Sequence, residues 1–214
     1  MTAKKPPEPL GDLSFFTADA IDNEPFFSAS TPAADDLFPP ATAAIAWGKK
    51  VSPEFKAKVL SIASELDFDA NFLMAAMAFE SGETFSAAIQ NAAGSGAVGL
   101  IQFMPTTAAA LGTSCQQLEC MSAEAQLDYV AKYFVAYKGK LRNVADVYMV
   151  ILWPAGVGKP DDYVLFDKAD AQHPKRYMQN RGLDLDKEGK ITKAEAAAMV
   201  AAKLEKGMRP EYIG

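Results

Sequence analysis

From residue 50 onward, apolar residues recur at helical spacing. Phe55, Val59, Ile62 and Leu66 share one face of a segment that Ser52 and Pro53 can open as N-cap and first helical residue. Asp69 can cap a second helix carrying Phe72, Leu73, Ala76, Met77 and Phe79, which Gly82 can stop. A Gly/Ala/Ser-rich loop is expected over 86–98, then a short helix from Gly99 and another from Pro105 to Gly112. Ser122 opens a helix to about Lys138, with Leu127, Val130, Phe134 and Tyr137 on one stripe and Gly139 as its stop. Residues 144–153 form an apolar run whose pattern alone does not separate helix from strand; its helical neighbours favour helix, and Pro154 ends it. Residues 154–183 read as loop-rich, and a last helix runs from about Thr192 to Lys206. The pattern predicts a mainly α fold without an internal repeat.

Residues 1–48 lack either period. They carry prolines at 6, 7, 9, 25, 32, 39 and 40 and read as an extended or disordered tail. The pairs Phe15-Phe16 and Phe26-Phe27 could strap it to the body, or it could dock a partner protein. The expected division is a tail over 1–48, a main helical domain over 49–170 and a C-terminal helical element over 171–214.

Composition narrows the function classes. Of 214 residues, 50% are hydrophobic and 22% charged, so most of the chain can bury a core. The net charge of -6, with no Lys/Arg-rich stripe, argues against a nucleic-acid binder that neutralises phosphates. It also argues against attachment to anionic membranes by charge alone. No apolar stretch reaches the roughly 18 residues of a membrane span, and the first residues lack the apolar core of an ordinary secretory signal. Cys115 and Cys120 are too few for a disulfide framework and fit no zinc spacing, so free or locally bridged thiols are expected.

Glu80 is the first candidate for chemistry. It follows Met77 by three residues, Ala76 by four and Leu73 by seven, which places it on the apolar stripe of its own helix. Desolvation there disfavours the charged carboxylate, and the partial negative charge of the helix C-terminus adds to the effect. An acid that stays protonated near neutral pH can donate a proton to a leaving group. A side chain that instead rotates into solvent at a frayed helix end fits the same position. Glu83, past Gly82, reads as a solvated loop acid.

Gly94-Ser95-Gly96-Ala97-Val98-Gly99 matches a dinucleotide-binding glycine pattern letter for letter. No β-branched run precedes it, and Pro105 interrupts any long helix after it. A cofactor reading is therefore rejected, and the glycines are expected to let backbone approach a helix or a ligand closely.

Glu80-Ser81, followed by Gly96-Ala97-Val98-Gly99-Leu100-Ile101-Gln102-Phe103-Met104-Pro105-Thr106-Thr107-Ala108, resembles the lytic transglycosylase family. That family pairs a catalytic Glu-Ser with a downstream Gly-Leu-x-Gln-x-x-Pro-x-Thr-Ala-like segment. The resemblance spans roughly residues 50–165 and is similar to forms carried by bacteriophages. It implies a goose-type-lysozyme-like α fold and cleavage of the β-1,4 bond between N-acetylmuramic acid and N-acetylglucosamine in peptidoglycan glycan strands. Glu80 would be the sole acid/base and the product a 1,6-anhydro sugar. Ser81 would orient Glu80 or a substrate group, Gly99 would allow close approach, and Gln102 would hydrogen-bond the sugar chain. Phe103 could offer its face to a sugar ring or simply fill core. The family's Tyr-Asn-Ala-Gly-like segment is matched only by the tyrosine of Tyr148-Met149-Val150-Ile151. Tyr148 could hydrogen-bond Glu80 or be core, and Trp153-Pro154-Ala155-Gly156-Val157-Gly158-Lys159-Pro160 could line the cleft.

Residues 184–195 fit a twelve-residue EF-hand loop. Oxygen ligands fall at Asp184, Asp186, Glu188, Thr192 and Glu195, Lys190 would use its backbone carbonyl, and Gly189 supplies the sharp turn. Ile191 can pack inward, while Glu188 is longer than the Asp or Asn usual at its position. The expected ion is a structural Ca2+; a charged loop capping the last helix through Thr192 is the other reading.

These readings predict a peptidoglycan-cleaving enzyme working in the periplasm or cell wall. Without a secretory signal it would arrive as a virion component or by a holin-type route, and the tail could contact other virion proteins. A hydrolytic lysozyme and an inactive glycan-binding virion module remain as alternatives.

Overall fold

The computed structural model describes residues 43–91 and 94–214. Among the described residues, eight α-helices and two short strands follow in order: α1 (Pro53–Leu66), α2 (Ala70–Glu80), α3 (Pro105–Ala110), α4 (Cys115–Glu119), α5 (Ala123–Phe134), α6 (Val144–Leu152), β1 (Val164–Asp167), α7 (Pro174–Asn180), β2 (Lys190–Thr192) and α8 (Lys193–Gly207). The fold is mainly α, as the periodicity predicts. Side chains close the helix starts where the sequence places caps: Ser52, Asp69, Ser122 and Thr192 each accept a hydrogen bond from a backbone N–H of the first turn.

Helix α2 is apolar all round, with Leu73 through Ala78 buried, so it occupies the centre. It packs against α1, α6 and α8. The apolar run over 144–153 resolves as α6, capped by Asn143. Strands β1 and β2 pair antiparallel and bring the loop after α7 against the start of α8.

A buried ion pair locks α6 to α8. Lys193 is 1% exposed and Asp146 2%, and Nζ lies 2.5 Å from Oδ1. Lys193 also donates to the Lys159 carbonyl, while Asp146 accepts from the N–H groups of Gly158 and Arg142. Both charges are therefore hydrogen-bonded within the protein, as burial requires.

Four expectations change. Residues 45–48 belong to the body: Ile45, Ala46 and Trp47 are buried, and Ile45 exchanges backbone hydrogen bonds with Gly214. Trp47 donates Nε1 to the Lys203 carbonyl, and the Lys206 ammonium sits over both its ring and that of Tyr212. The rest of the predicted tail, including both Phe pairs, lies outside the described residues apart from the exposed Ala43 and Ala44. Second, Gly99 opens a tight turn, not a helix; Val98 and Phe103 exchange backbone hydrogen bonds of 3.1 and 2.8 Å around it. Third, the stretch between Gly112 and Ser122, to which the sequence pattern assigned no element, contains α4, capped by Ser114. Fourth, the loop-rich 154–183 region contains β1 and α7. Cys115 and Cys120 are free thiols. Among the described residues, no helix is long and apolar enough to cross a membrane.

Candidate functional site

Glu80 ends α2, and the turn behind it is built by its neighbour. Ser81 is fully buried; its hydroxyl donates to the Met77 carbonyl at 2.6 Å and accepts from the Phe85 N–H at 3.0 Å. Ser81 thus shapes the chain's exit from the helix at Glu80, its hydroxyl spent within the protein. Glu83 is also not a free loop acid, because Lys203 and Lys206 of α8 both donate to its carboxylate. Burial pushes the Glu83 carboxyl up, and the two lysines more than reverse this, leaving it below its ordinary value.

Glu80 itself is half-buried, with Oε1 fully enclosed and without a hydrogen-bond partner among the described residues. Burial pushes its carboxyl from 4.5 up to about 8. The Tyr148 hydroxyl is likewise buried and unpartnered. Its ring meets Phe79, the residue before Glu80, edge-to-face at 5.5 Å. Burial and then the Glu80 charge raise the Tyr148 phenol well above its usual range. The two groups are electrostatic neighbours, yet no hydrogen bond joins them. Buried polar atoms lacking partners are groups that a polar ligand can complete.

The Gly99–Phe103 turn departs from its expected roles at two positions. Gly99 has φ +83°, and a Cβ there would come within 2.2 Å of the Gln126 Oε1. The close approach that requires glycine is therefore made by a buried side chain of α5, not by substrate. Gln126 accepts from the Leu100 N–H at 2.7 Å and donates to the carbonyls of Ala87 and Leu118. Gly99→Ala is expected to lower stability by about 2–4 kcal/mol, since it combines a clash with a left-handed backbone; thermal unfolding measures it. Phe103 is 2% exposed and packs edge-on to Tyr133, so it is core and not a sugar platform. Gln102 remains half-buried in the turn, donating Nε2 to the Gly99 and Ile89 carbonyls.

No family model and no curated protein matches this chain.

At the other end of α8's connections, Asp184, Asp186 and Glu195 each offer a carboxylate oxygen within 4.8 Å of the others, a cluster that could hold a metal ion. Asp184 is buried. Its Oδ2 accepts from the Tyr177 hydroxyl at 2.5 Å and the Gly189 N–H at 3.1 Å, while Oδ1 is enclosed without a partner. Glu195 accepts from the Leu185 N–H through one oxygen and from the Thr192 N–H and hydroxyl through the other. Three of the four expected carboxylate ligands therefore converge. The Glu188 carboxylate stands outside this cluster, and the Thr192 hydroxyl is committed to a capping box at the start of α8.

Sequence reasoning missed Gln126, Tyr133, Tyr177 and the Asp146–Lys193 pair. A polar residue at a stripe position was the available signal for Gln126, next to Leu127 and four before Val130. The others depend on partners distant in sequence.

Proposed function

We propose that this chain is a lytic transglycosylase that cleaves the β-1,4 bond between N-acetylmuramic acid and N-acetylglucosamine in peptidoglycan. The observation that carries the reading is the enclosed, unpartnered Glu80 carboxyl, held protonated near neutral pH by burial. It stands where the Glu-Ser of the family that the sequence resembles would place the catalytic acid.

The chemistry follows from one carboxyl. Glu80 gives its proton to the glycosidic oxygen as the bond to C1 of the muramoyl sugar breaks. The resulting carboxylate then takes the proton of that sugar's C6 hydroxyl, whose oxygen bonds to C1. The products are a 1,6-anhydro sugar and a free hydroxyl on the leaving sugar, with the acid regenerated. A hydrolase needs a second carboxylate to activate water or to act as nucleophile. Glu83, the nearest acid in the chain, is committed to Lys203 and Lys206, which favours the single-acid route. Tyr148 stands beside the acid and can hydrogen-bond the carboxylate when the proton has left. Gln102 stays in the role of a sugar contact.

A wall substrate and the resemblance to phage forms support action in the periplasm or cell wall, reached from a virion or after a holin-type lesion. Purified sacculi test the activity: wild-type protein is expected to solubilise them, and intact sacculi after prolonged incubation would refute the reading in favour of a glycan-binding module.

The oxygen-only donor set of Asp184, Asp186 and Glu195, with the orphaned Asp184 Oδ1, suits a hard cation, and we assign it to Ca2+. The ion would supply structural stabilisation of the loop that leads into α8. Calcium at about 100 times its dissociation constant is expected to raise stability by about 2.7 kcal/mol. Calorimetry and thermal unfolding read this, and the gain should vanish in Asp184→Ala. An equal gain in both proteins would remove the site.

A further inference from the structure

We propose that Glu83 is a positioning residue of the Glu80 site: its carboxylate, clamped by Lys203 and Lys206 of α8, fixes the capping turn that encloses the Glu80 backbone. The inference rests on reading Glu80 as the acid. The turn has a definite form. Glu80 is the last residue of α2. Beyond it, the Gly82 N–H donates to the Phe79 carbonyl at 3.3 Å and the Glu83 N–H to the Ala78 carbonyl at 2.7 Å. These are the two bonds of a Schellman cap, with Gly82 left-handed at φ +61°. The ring closed by the second bond runs from Ala78 to Glu83 and contains Glu80. The direction in which the acid leaves the helix therefore depends on that bond.

The side chain of Glu83 is what holds the bond in place. In such a cap the residue after the glycine ordinarily makes an apolar contact with the last helical turn. Here that residue is a glutamate, and it is itself left-handed at φ +69°, a conformation that a non-glycine residue keeps only where its surroundings impose it. The surroundings are the two lysines. Lys206 Nζ donates to both carboxylate oxygens, at 2.8 and 2.6 Å, and Lys203 donates to Oε1 as well. The lysines are fixed in turn. The Lys203 carbonyl accepts from Trp47 Nε1, and the Lys206 ammonium sits 5.3 Å from the Trp47 ring and 5.2 Å from that of Tyr212. Two residues past Glu83, the chain is pinned again. Phe85, left-handed at φ +51°, gives its N–H to the Ser81 hydroxyl and sets its ring 6.3 Å from Trp47 and 6.0 Å from Phe55. Glu83 thus ties the turn around the acid to α8 and, through Lys206, to Trp47 and Tyr212.

The test uses the full chain and compares wild type, Glu83→Gln, Glu83→Asn and Lys203→Met. Lys58→Met is the control, since it breaks the Lys58–Asp128 pair between α1 and α5, away from this turn. Amide hydrogen exchange at residues 82 and 83, thermal unfolding and the rate of sacculus solubilisation at saturating and limiting substrate are read together. Asparagine tolerates the left-handed backbone but is too short to take up the clamp, so Glu83→Asn carries the comparison should Glu83→Gln not fold. In each variant of the clamp, the two amides are expected to exchange about tenfold faster or more, the order that loss of one charge-assisted hydrogen bond gives. The saturating rate should fall by about the same factor while half-saturation stays at the wild-type value, because the acid is misdirected and binding is not. Lys203→Met added to Glu83→Asn should bring no further fall, and Lys58→Met should keep wild-type exchange and rate. Unchanged exchange at residues 82 and 83, a wild-type saturating rate in Glu83→Asn, or an equal fall in Lys58→Met would overturn the proposal. If exchange rises as expected but even wild type leaves sacculi intact, the clamp stands and the transglycosylase reading falls.

Discussion

Glu80→Gln is expected to abolish solubilisation of sacculi while flattening the protein's loss of stability between pH 5 and pH 8. The activity loss follows from removing the only group assigned to donate and then accept the proton. General acid–base catalysis by one side chain is worth about 10²–10⁴-fold, and here one residue serves both steps. The stability effect follows from the same burial. The Glu80 carboxyl ionises near 4.5 when unfolded and near 8 when folded. Below the first value both states are protonated, and the group has no effect. As pH rises, the unfolded chain releases a proton that the folded chain keeps, so stability falls until the folded pKa is passed. Each unit of difference is about 1.4 kcal/mol, so the loss reaches about 3 kcal/mol by neutral pH. Glutamine does not titrate, and the variant should lack that decline. Thermal unfolding across the pH range, beside a turbidity assay, measures both. A variant that clears sacculi as fast as wild type would remove Glu80 from the mechanism. A parallel pH dependence would show that the side chain is solvated.

Breaking the Asp146–Lys193 pair should cost the most stability of any single change described. Asp146→Ala leaves a buried ammonium with only the Lys159 carbonyl as partner, and strips acceptors from the Gly158 and Arg142 N–H groups. Such losses run to about 3–5 kcal/mol. Lys193→Met, which strands the carboxylate, should cost a similar amount. The double variant Asp146→Leu with Lys193→Met should be less destabilised than the sum of the two, because the charge that each single variant strands is then gone. The pH dependence has the opposite sign to that of Glu80. Burial pushes the Asp146 carboxyl up, but hydrogen bonds from Lys193, Gly158 and Arg142 outweigh it and leave the group below its ordinary value. Its contribution is present above the ordinary carboxylate range near 3.8 and is lost as acid protonates it. Urea unfolding of the single and double variants gives the coupling. Additive losses would mean that the two charges do not depend on each other.

Local signals were the legible part of this fold. Ser52, Asp69, Ser122 and Thr192 cap helices because a cap needs only a short oxygen-bearing side chain and the two or three residues after it. The apolar stripe of its own helix made the enclosure of Glu80 one of two readings, the other being a solvent-facing side chain at the helix end, and only the folded chain separates them. Contacts between distant segments were not legible. Lys193 looks like a surface residue at a helix start, and only the folded chain brings Asp146 to it across 47 positions. Trp47 was assigned to the tail because its neighbours in sequence are loop-like; its partners, Lys203 and Tyr212, come from the far end of the chain. Gly99 shows the intermediate case. The need for close backbone approach was readable from glycine, whereas the approaching group, Gln126, was not. Position in a motif left Phe103 open between a sugar face and core, and its burial against Tyr133 decides for core.

The most direct test of the whole account is mass spectrometry of the muropeptides that the wild-type protein releases from sacculi. Ring closure by the muramoyl C6 hydroxyl predicts products with 1,6-anhydro ends, each lighter by one water than the hydrolytic equivalent. Products carrying only reducing ends would contradict it and make this protein a lysozyme that recruits water.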